Sequence, residues 1–346
     1  MKAKRWFTLA VVALILVVLA YLQFRTWQRF DWATFWALMG GARKSYLIAA
    51  VVIIYFDYYF RAIRWKLLLR PVKKVSARGL LASQVIGFTA IGILGRPGDL
   101  VRPYLISRRE NLPFTSQVAV LAVERVFDIG AFAVLLVATV FLGNLDIDPR
   151  WLRRFQFAGV LILAGVAVAA VILFVLWRSG DAVAEWIQRR YESNHPNLSR
   201  SLCHKIKHFS DGLHTIHDLR SLIGVFAISL WVWFLIAVAY ALVVKSYGSP
   251  DLHAMDPSEV VLLMSASVAG SLLQLPMVGG GSQLGTIGVL NHVFNVPREL
   301  AASCGIMLWL ITFMSVVPVG LIWARFEHLN LRQVSAESEA AEAAEV

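Results

Sequence analysis

The sequence predicts an all-α fold, a polytopic membrane helix bundle of six to eight spans with two broken or re-entrant segments arranged as an inverted repeat. Composition is the first observation behind it: of 346 residues, 58% are hydrophobic, with a mean hydropathy of +0.65, above the roughly 45–50% apolar content of soluble domains. The second is a set of apolar runs at 7–24, 46–60, 117–142, 155–177, 222–244 and 300–324, long enough to cross about 30 Å of hydrocarbon. The third is a pair of shorter apolar segments interrupted by glycine or proline.

Taken in order, "MKAKRW" and the run behind it resemble a secretory signal, but "VVLAYLQFRTW" offers no convincing small-residue cleavage site, so the first run is expected to remain as an anchor. The stretch 61–78 carries Arg61, Arg64, Lys66, Arg70, Lys73, Lys74 and Arg78 without an acid, which by the positive-inside rule places it in the cytoplasm with the basic N-terminus. Between 245 and 259 Lys245 is outweighed by Asp251, Asp256 and Glu259, which suits an outside loop. The C-terminus is then cytoplasmic too, in a plasma or inner membrane.

These assignments require "GLLASQVIGFTAIGILG" (79–95) to enter from the cytoplasm and return there. The second interrupted segment, 260–294, starts outside and breaks at Pro276 and at Gly279, Gly280 and Gly281. Two broken segments entering from opposite sides point to an inverted repeat with a substrate site between its halves. Freed backbone at such breaks must be covered by protein or line a wet cavity.

Residues 1–330 read as one transmembrane domain with a cytoplasmic amphipathic insertion at about 178–221. There Leu202, Ile206, Phe209, Leu213 and Ile216 recur at three- and four-residue spacing. His204 and His208 share a face, yet no acidic third ligand or HExxH pattern accompanies them, so a solvated helix face is expected. The tail 331–346, containing "SAESEAAEAAEV", reads as acidic, low in complexity and disordered. Cys203 and Cys304 fall in a hydrophilic loop and a span, which excludes a structural disulfide as an expectation, and no metal or other cofactor is expected. A net charge of +11 raises nucleic acid as a ligand. The basic residues flank hydrophobic spans without a recognisable nucleic-acid module, so anionic lipid headgroups are the expected partners.

The candidate site follows from charge inside the fourth segment. Each charged group near the bilayer centre costs about 2.5–3.5 kcal/mol on insertion scales, so Glu124, Arg125 and Asp128 must face protein or water. Arg125 is expected to pair with Asp128 at i,i+3, leaving Glu124 for a second cation or for protonation. Upstream, "GRPGDLVRP" adds Arg96, Asp99 and Arg102 beside the first break. Arginine suits an anion site because its planar fork binds phosphate with two hydrogen bonds. Asp57, Arg61 and Arg64, followed by Trp65, are secondary candidates, read as an interfacial pair with an aromatic anchor.

At these residues the sequence resembles the lysylphosphatidylglycerol synthase transmembrane region, a flippase-like family. The resemblance rests on "RAIRWKLLL" (61–69), "GRPGDLVRPYLI" (95–106), "ERVFD" (124–128) and "LPMVGGGSQLG" (275–285), in order and over most of the chain. Asp99 stands where members usually carry Glu. Ser282 and Gly285 stand where a further glycine and then a glutamate are common, and Gln283 is the nearest polar substitute. The resemblance implies lipid translocation without the soluble aminoacyl transferase domain of the two-part synthases, with Gly279, Gly280, Gly281 and Gln283 joining the charged cluster as substrate-binding candidates.

Two other classes compete. A glycosyl- or headgroup transferase would draw on Asp146 and Asp148 in "NLDIDP", a DxD-like pair able to hold a divalent cation, although Pro149 beside them suggests an ordinary turn. A non-transporting partner would anchor a lipid biosynthetic enzyme through the basic loops.

Overall fold

The computed structural model describes residues 30–191, 219–275, 279–327 and 329–344. The first apolar run, the residues from Leu202 to Ile216 of the expected amphipathic insertion and both histidines considered there lie outside the described residues, as does Pro276.

The chain begins with α1 (Trp32–Gly41), started by Asp31, whose Oδ1 accepts from the Thr34 amide at 3.0 Å. It continues through α2 (Lys44–Leu69), α3 (Ala77–Leu94), α4 (Val101–Glu110), α5 (Phe114–Leu142) and α6 (Pro149–Tyr191). After the undescribed stretch come α7 (Leu219–Ser246), the short α8 (Pro250–His253), α9 (Pro257–Gly270), α10 (Gly281–His292), α11 (Arg298–Trp309), α12 (Val316–Phe326) and α13 (Leu331–Ala344). Apart from a two-residue antiparallel bridge, Gln274–Leu275 with Gly279–Gly280, the described chain is helices and turns. Six of the helical stretches are long and apolar enough to cross a membrane: α2, α3, α5, α6, α7 and the joined α11–α12. This is a multi-pass α-helical membrane protein, as its sequence predicts.

Two faces of the bundle can be told apart by contacts at the helix ends. The Arg43 amide, at the start of α2, donates to the Ser246 carbonyl at the end of α7 at 2.8 Å, and Tyr247 meets Ser303 at 2.9 Å. These mark the first face. At the second face, Lys73 ahead of α3 reaches Glu110 at the end of α4, its Nζ lying 2.6 Å from the carbonyl and 3.1 Å from the carboxylate.

That last contact closes the first broken segment. Ser76 caps α3 by accepting from the Gly79 amide at 3.0 Å, and α3 ends at Gly95, whose φ of 73° suits a residue without Cβ. A 3₁₀ turn, Arg96–Leu100, then reverses the chain. Space for the return exists because Gly98 lies against the backbone of Ala90, where a Cβ would come within 2.4 Å of the carbonyl carbon. The segment therefore enters from the second face and goes back to it.

The second hairpin is α9 and α10. At 14 and 12 residues they measure about 21 and 18 Å, short of the roughly 30 Å needed to cross. Asp256 and Glu259 form a capping box at the start of α9, with Pro257 in the first turn. A Cβ on Gly143, at the first-face end of α5, would fall 2.6 Å from Ser258 Oγ, so this hairpin enters from the first face. The two hairpins are thus inverted with respect to each other.

Between α11 and α12 lies a π-helical stretch, Leu310–Met314. Pro318 explains it: the ring has no amide to offer the Met314 carbonyl four residues earlier and crowds it. Tyr55 donates its hydroxyl to the neighbouring Ser315 carbonyl at 2.7 Å.

In contrast to the disorder expected of residues 331–346, Leu331–Ala344 is helical and docked. Leu331 and Val334 are buried in a cluster with Ile86, Ala90, Val101 and Ala324, and Glu337 accepts from Tyr104 at 2.7 Å. The alanine and glutamate that made the tail look simple are strong helix formers.

Candidate functional site

Charged residues converge between α2, α4 and α5, but they sort into two sets. Arg64 and Arg102, from opposite sides, both engage Glu124. Arg64 Nη2 lies 2.5 Å from Glu124 Oε1, and Arg102 Nη2 lies 2.5 Å from Oε2. Arg64 also holds Asp128, through Nη1 to Oδ1 and through Nη2 to Oδ2 at 3.0 Å, and it donates to Ser229 at 2.9 Å. Arg102 adds Gln84 Oε1 at 2.9 Å and lies over the Trp65 and Phe88 rings at 4.5 and 5.2 Å. Arg64, Arg102, Glu124 and Asp128 are all buried. This set is an internal clamp joining α2, α4 and α5, with Gln84 of α3 and Ser229 of α7 hydrogen-bonded to it.

Two expectations change here. Asp128 pairs with Arg64 rather than with Arg125, because Arg125 sits one residue, about 100°, around α5 from Glu124 and faces elsewhere. Arg64 and Trp65 are not an interfacial anchor: both are 0% exposed, and the cost of burying Arg64 is offset by the two carboxylates and the Ser229 hydroxyl.

The second set faces a cavity of about 560 Å³, within the size range of ligand sites. Asp57, Arg61, Asp99 and Arg125 line it. Arg61 Nε donates to Asp57 Oδ2 at 2.7 Å and stacks on Phe88. Arg125 Nη2 meets Asp99 Oδ1 at 2.5 Å, with side chains 41% and 39% exposed. A guanidinium has five donor hydrogens, so Arg125 retains capacity for a further acceptor.

Both broken segments contribute to this cavity. Gly95 and Asp99 come from the first hairpin's tip; Ser267, Ser271 and Ser282 come from the second, and Thr312 and Phe313 from the π-helical stretch. A π-helical turn inside a helix is often a mark of a functional position.

Among the remaining candidates, the side chain of Arg96 lies outside the described set. Gly279 and Gly280 form the bridge, and Gly281 opens α10 with its carbonyl packed where Gly270 has no Cβ. Gln283 caps that helix through the Gly280 amide. It is Ser282 that lines the cavity. Asp148 does not stand ready beside Asp146 as a DxD pair. Its carboxylate accepts from the Arg150 amide at 2.7 Å and from the Arg150 guanidinium at 2.8 Å, and the Arg150 hydrogen bonds hold it down to about 2. Among the described residues no group of three or more His, Cys, Asp or Glu is placed to hold a metal.

The sequence reading missed Gln84, Gln117, Ser229 and the cavity hydroxyls. A signal existed for Gln84 and Gln117, which are lone amides in apolar runs and both buried. Gln117 accepts from Trp65 Nε1 at 3.2 Å.

Two opposed hairpins thus meet at a cavity lined by two ion pairs and several hydroxyls within a multi-pass helical bundle. The chain belongs to the lysylphosphatidylglycerol synthase TM region family, whose model matches residues 6–320. It is also similar to the glycosyltransferase AglD of Haloferax volcanii, 27% identical over 75% of this chain and 44% of the relative. The chain therefore spans less than half of that relative's length. No solved structure matches it.

Proposed function

We propose that this protein is a lipid translocase that moves a phosphate-bearing or otherwise modified lipid across an inner, plasma-type membrane, its headgroup passing through the cavity while the chains remain in lipid. The observation that carries this reading is the half-exposed Arg125–Asp99 pair at the meeting point of two hairpins that enter from opposite faces. Asp99 belongs to a hairpin tip and Arg125 to a full-length helix, so a phosphate competing for Arg125 acts on a movable contact. Asp57 and Arg61 give the same cavity a second ion pair. The clamp around Glu124 serves as the fixed scaffold behind them.

In this reading the second face, which carries the basic stretch 61–78, is cytoplasmic. The protein works without covalent chemistry. Transfer chemistry on a lipid phosphate draws on the name of the relative, but Asp148 is already occupied by Arg150, which leaves that alternative without a free DxD pair.

The test is reconstitution into liposomes bearing a headgroup fluorophore, with an impermeant quencher outside. Wild-type protein is expected to expose inner-leaflet label faster than empty liposomes, and Arg125→Ala to lose that acceleration. No acceleration with anionic, zwitterionic or polyprenyl phosphate lipids, with or without a proton gradient, overturns the reading.

A further inference from the structure

Three acids are buried among the described residues: Asp57, Glu124 and Asp128. Two of them are fully committed. Both oxygens of Glu124 accept from Arg64 or Arg102, and both oxygens of Asp128 accept from Arg64. Asp57 is different. Its Oδ2 accepts from Arg61 Nε at 2.7 Å, whereas its Oδ1 is buried with no hydrogen-bond partner among the described residues. The residue stands midway along the 26-residue α2, where a spanning helix is farthest from bulk water, and it lines the cavity.

The charged groups acting most directly on Asp57 are Arg61 and Arg64 from α2 and Asp128 from α5. Arg64 and Asp128 belong to the clamp, whose two guanidiniums and two carboxylates cancel. Across the cavity stand Arg125 of α5 and Asp99 of the first hairpin's turn, with the phenols of Tyr58 and Tyr240 beside them, and the lining from α3, α9, α10, α11 and the π-helical stretch is uncharged. The described lining therefore also holds two guanidiniums and two carboxylates. A phosphodiester entering it adds one negative charge that none of these groups offsets.

An uncompensated charge in a water-poor site is neutralised by a proton rather than carried. Asp99 has a side chain 39% exposed and keeps water as a partner. Asp57 is 2% exposed, and its free oxygen gives the proton a place that leaves the Arg61 hydrogen bond intact. A protonated carboxyl is also a donor, so it can bond a phosphate oxygen in its turn.

We propose that Asp57 is a proton site coupled to the anion: one proton from solution binds Oδ1 when a phosphate-bearing headgroup enters the cavity, and leaves when the headgroup does. This rests on the translocase reading and adds a co-transported ion to it. Headgroup and proton together are electroneutral, so a pH difference rather than a membrane potential biases the movement.

The test is calorimetric titration of the full chain in detergent with a short-chain, ether-linked phosphatidylglycerol, in two buffers of unequal ionisation heat, which counts the protons taken up per lipid bound. The phosphodiester stays singly charged near neutral pH, so any proton gained lies on the protein. Wild type is expected to gain about one, and its affinity to fall about ten-fold for each unit rise in pH. Asp57→Asn should bind without proton uptake and without pH dependence, and Asp57→Glu should restore both. An infrared difference spectrum locates the proton, because the ether lipid has no carbonyl of its own. A protonated-carboxyl band should appear with lipid, vanish in Asp57→Asn and shift in Asp57→Glu. Binding without proton uptake, or a band that stays in place in Asp57→Glu, overturns the proton site and leaves the translocase reading standing. Absence of binding at every pH overturns both.

Discussion

Arg64 on α2 and Glu124 on α5, 60 residues apart in sequence, meet at 2.5 Å with side chains 0% and 1% exposed. The same carboxylate holds Arg102 and Asp128 also pairs with Arg64, so Glu124 is the acid shared by two buried guanidiniums and the one on which Arg102 depends. Glu124→Gln keeps the shape and removes the charge. Breaking a buried pair from one side costs about 3–5 kcal/mol, because the partner is left uncompensated. A marked fall in the detergent melting temperature is therefore expected, with Arg64→Lys also destabilising because an ammonium cannot span Glu124 and Asp128 together. Wild-type melting in Glu124→Gln would mean that the clamp does not hold the helices.

Arg125→Ala should behave differently. Its pair with Asp99 is about two-fifths exposed, and exposed pairs contribute about 0–1 kcal/mol. The melting temperature is expected to stay near wild type while lipid movement stops. Measuring both on one preparation separates a site residue from a scaffold residue, and a parallel fall in both would place Arg125 with the scaffold.

How far the sequence shows this division depends on the range of the interaction. Apolar length alone locates α2, α5, α7 and α11–α12, and the charge asymmetry of the loops gives the opposed entry of the hairpins. Hydrocarbon also requires Glu124 and Asp128 to have partners. The partner's identity is a different matter: spacing reveals i,i+3 and i,i+4 neighbours, so Asp57–Arg61 is legible and Arg64–Asp128 is not. Arg125 looked equivalent to its neighbours because three charges within five residues share a flank, although a turn of about 100° separates cavity from clamp. The cavity hydroxyls gave less signal still, since serine and threonine also occur where membrane helices pack closely.

The close packing within the two hairpins makes a prediction about glycine. A Cβ at Gly98 would lie 2.4 Å from the Ala90 carbonyl carbon, and one at Gly285 2.3 Å from the Ala266 carbonyl oxygen. In both cases the obstacle is backbone, which cannot swing aside as a side chain can. Gly98→Ala and Gly285→Ala are each expected to destabilise by about 1–3 kcal/mol through overpacking. Gly165→Ala, in open space on α6, is the control and should be neutral or slightly stabilising. Denaturation in mixed micelles distinguishes them, and equal effects at all three positions would argue against closely packed hairpins.

Docking of α13 supplies a prediction in pH. Glu337 receives hydrogen bonds from Tyr104 at 2.7 Å and Gln333 at 2.9 Å, with Arg108 at 3.6 Å, and the Tyr104 bond chiefly holds its carboxyl below the ordinary glutamate range. A group whose folded-state value is depressed contributes its stabilisation above the undocked value and loses it as pH falls through the docked one. Docking should therefore be unchanged between neutral pH and mild acidity, then weaken as the pH drops below the usual carboxylate range. Hydrogen exchange along Leu331–Ala344, corrected for the intrinsic rate, is expected to accelerate there. Glu337→Gln should exchange faster than wild type at neutral pH and lose the acid-dependent step, because the amide has no proton to gain. An acid step of undiminished size in that variant would assign the titration to another group.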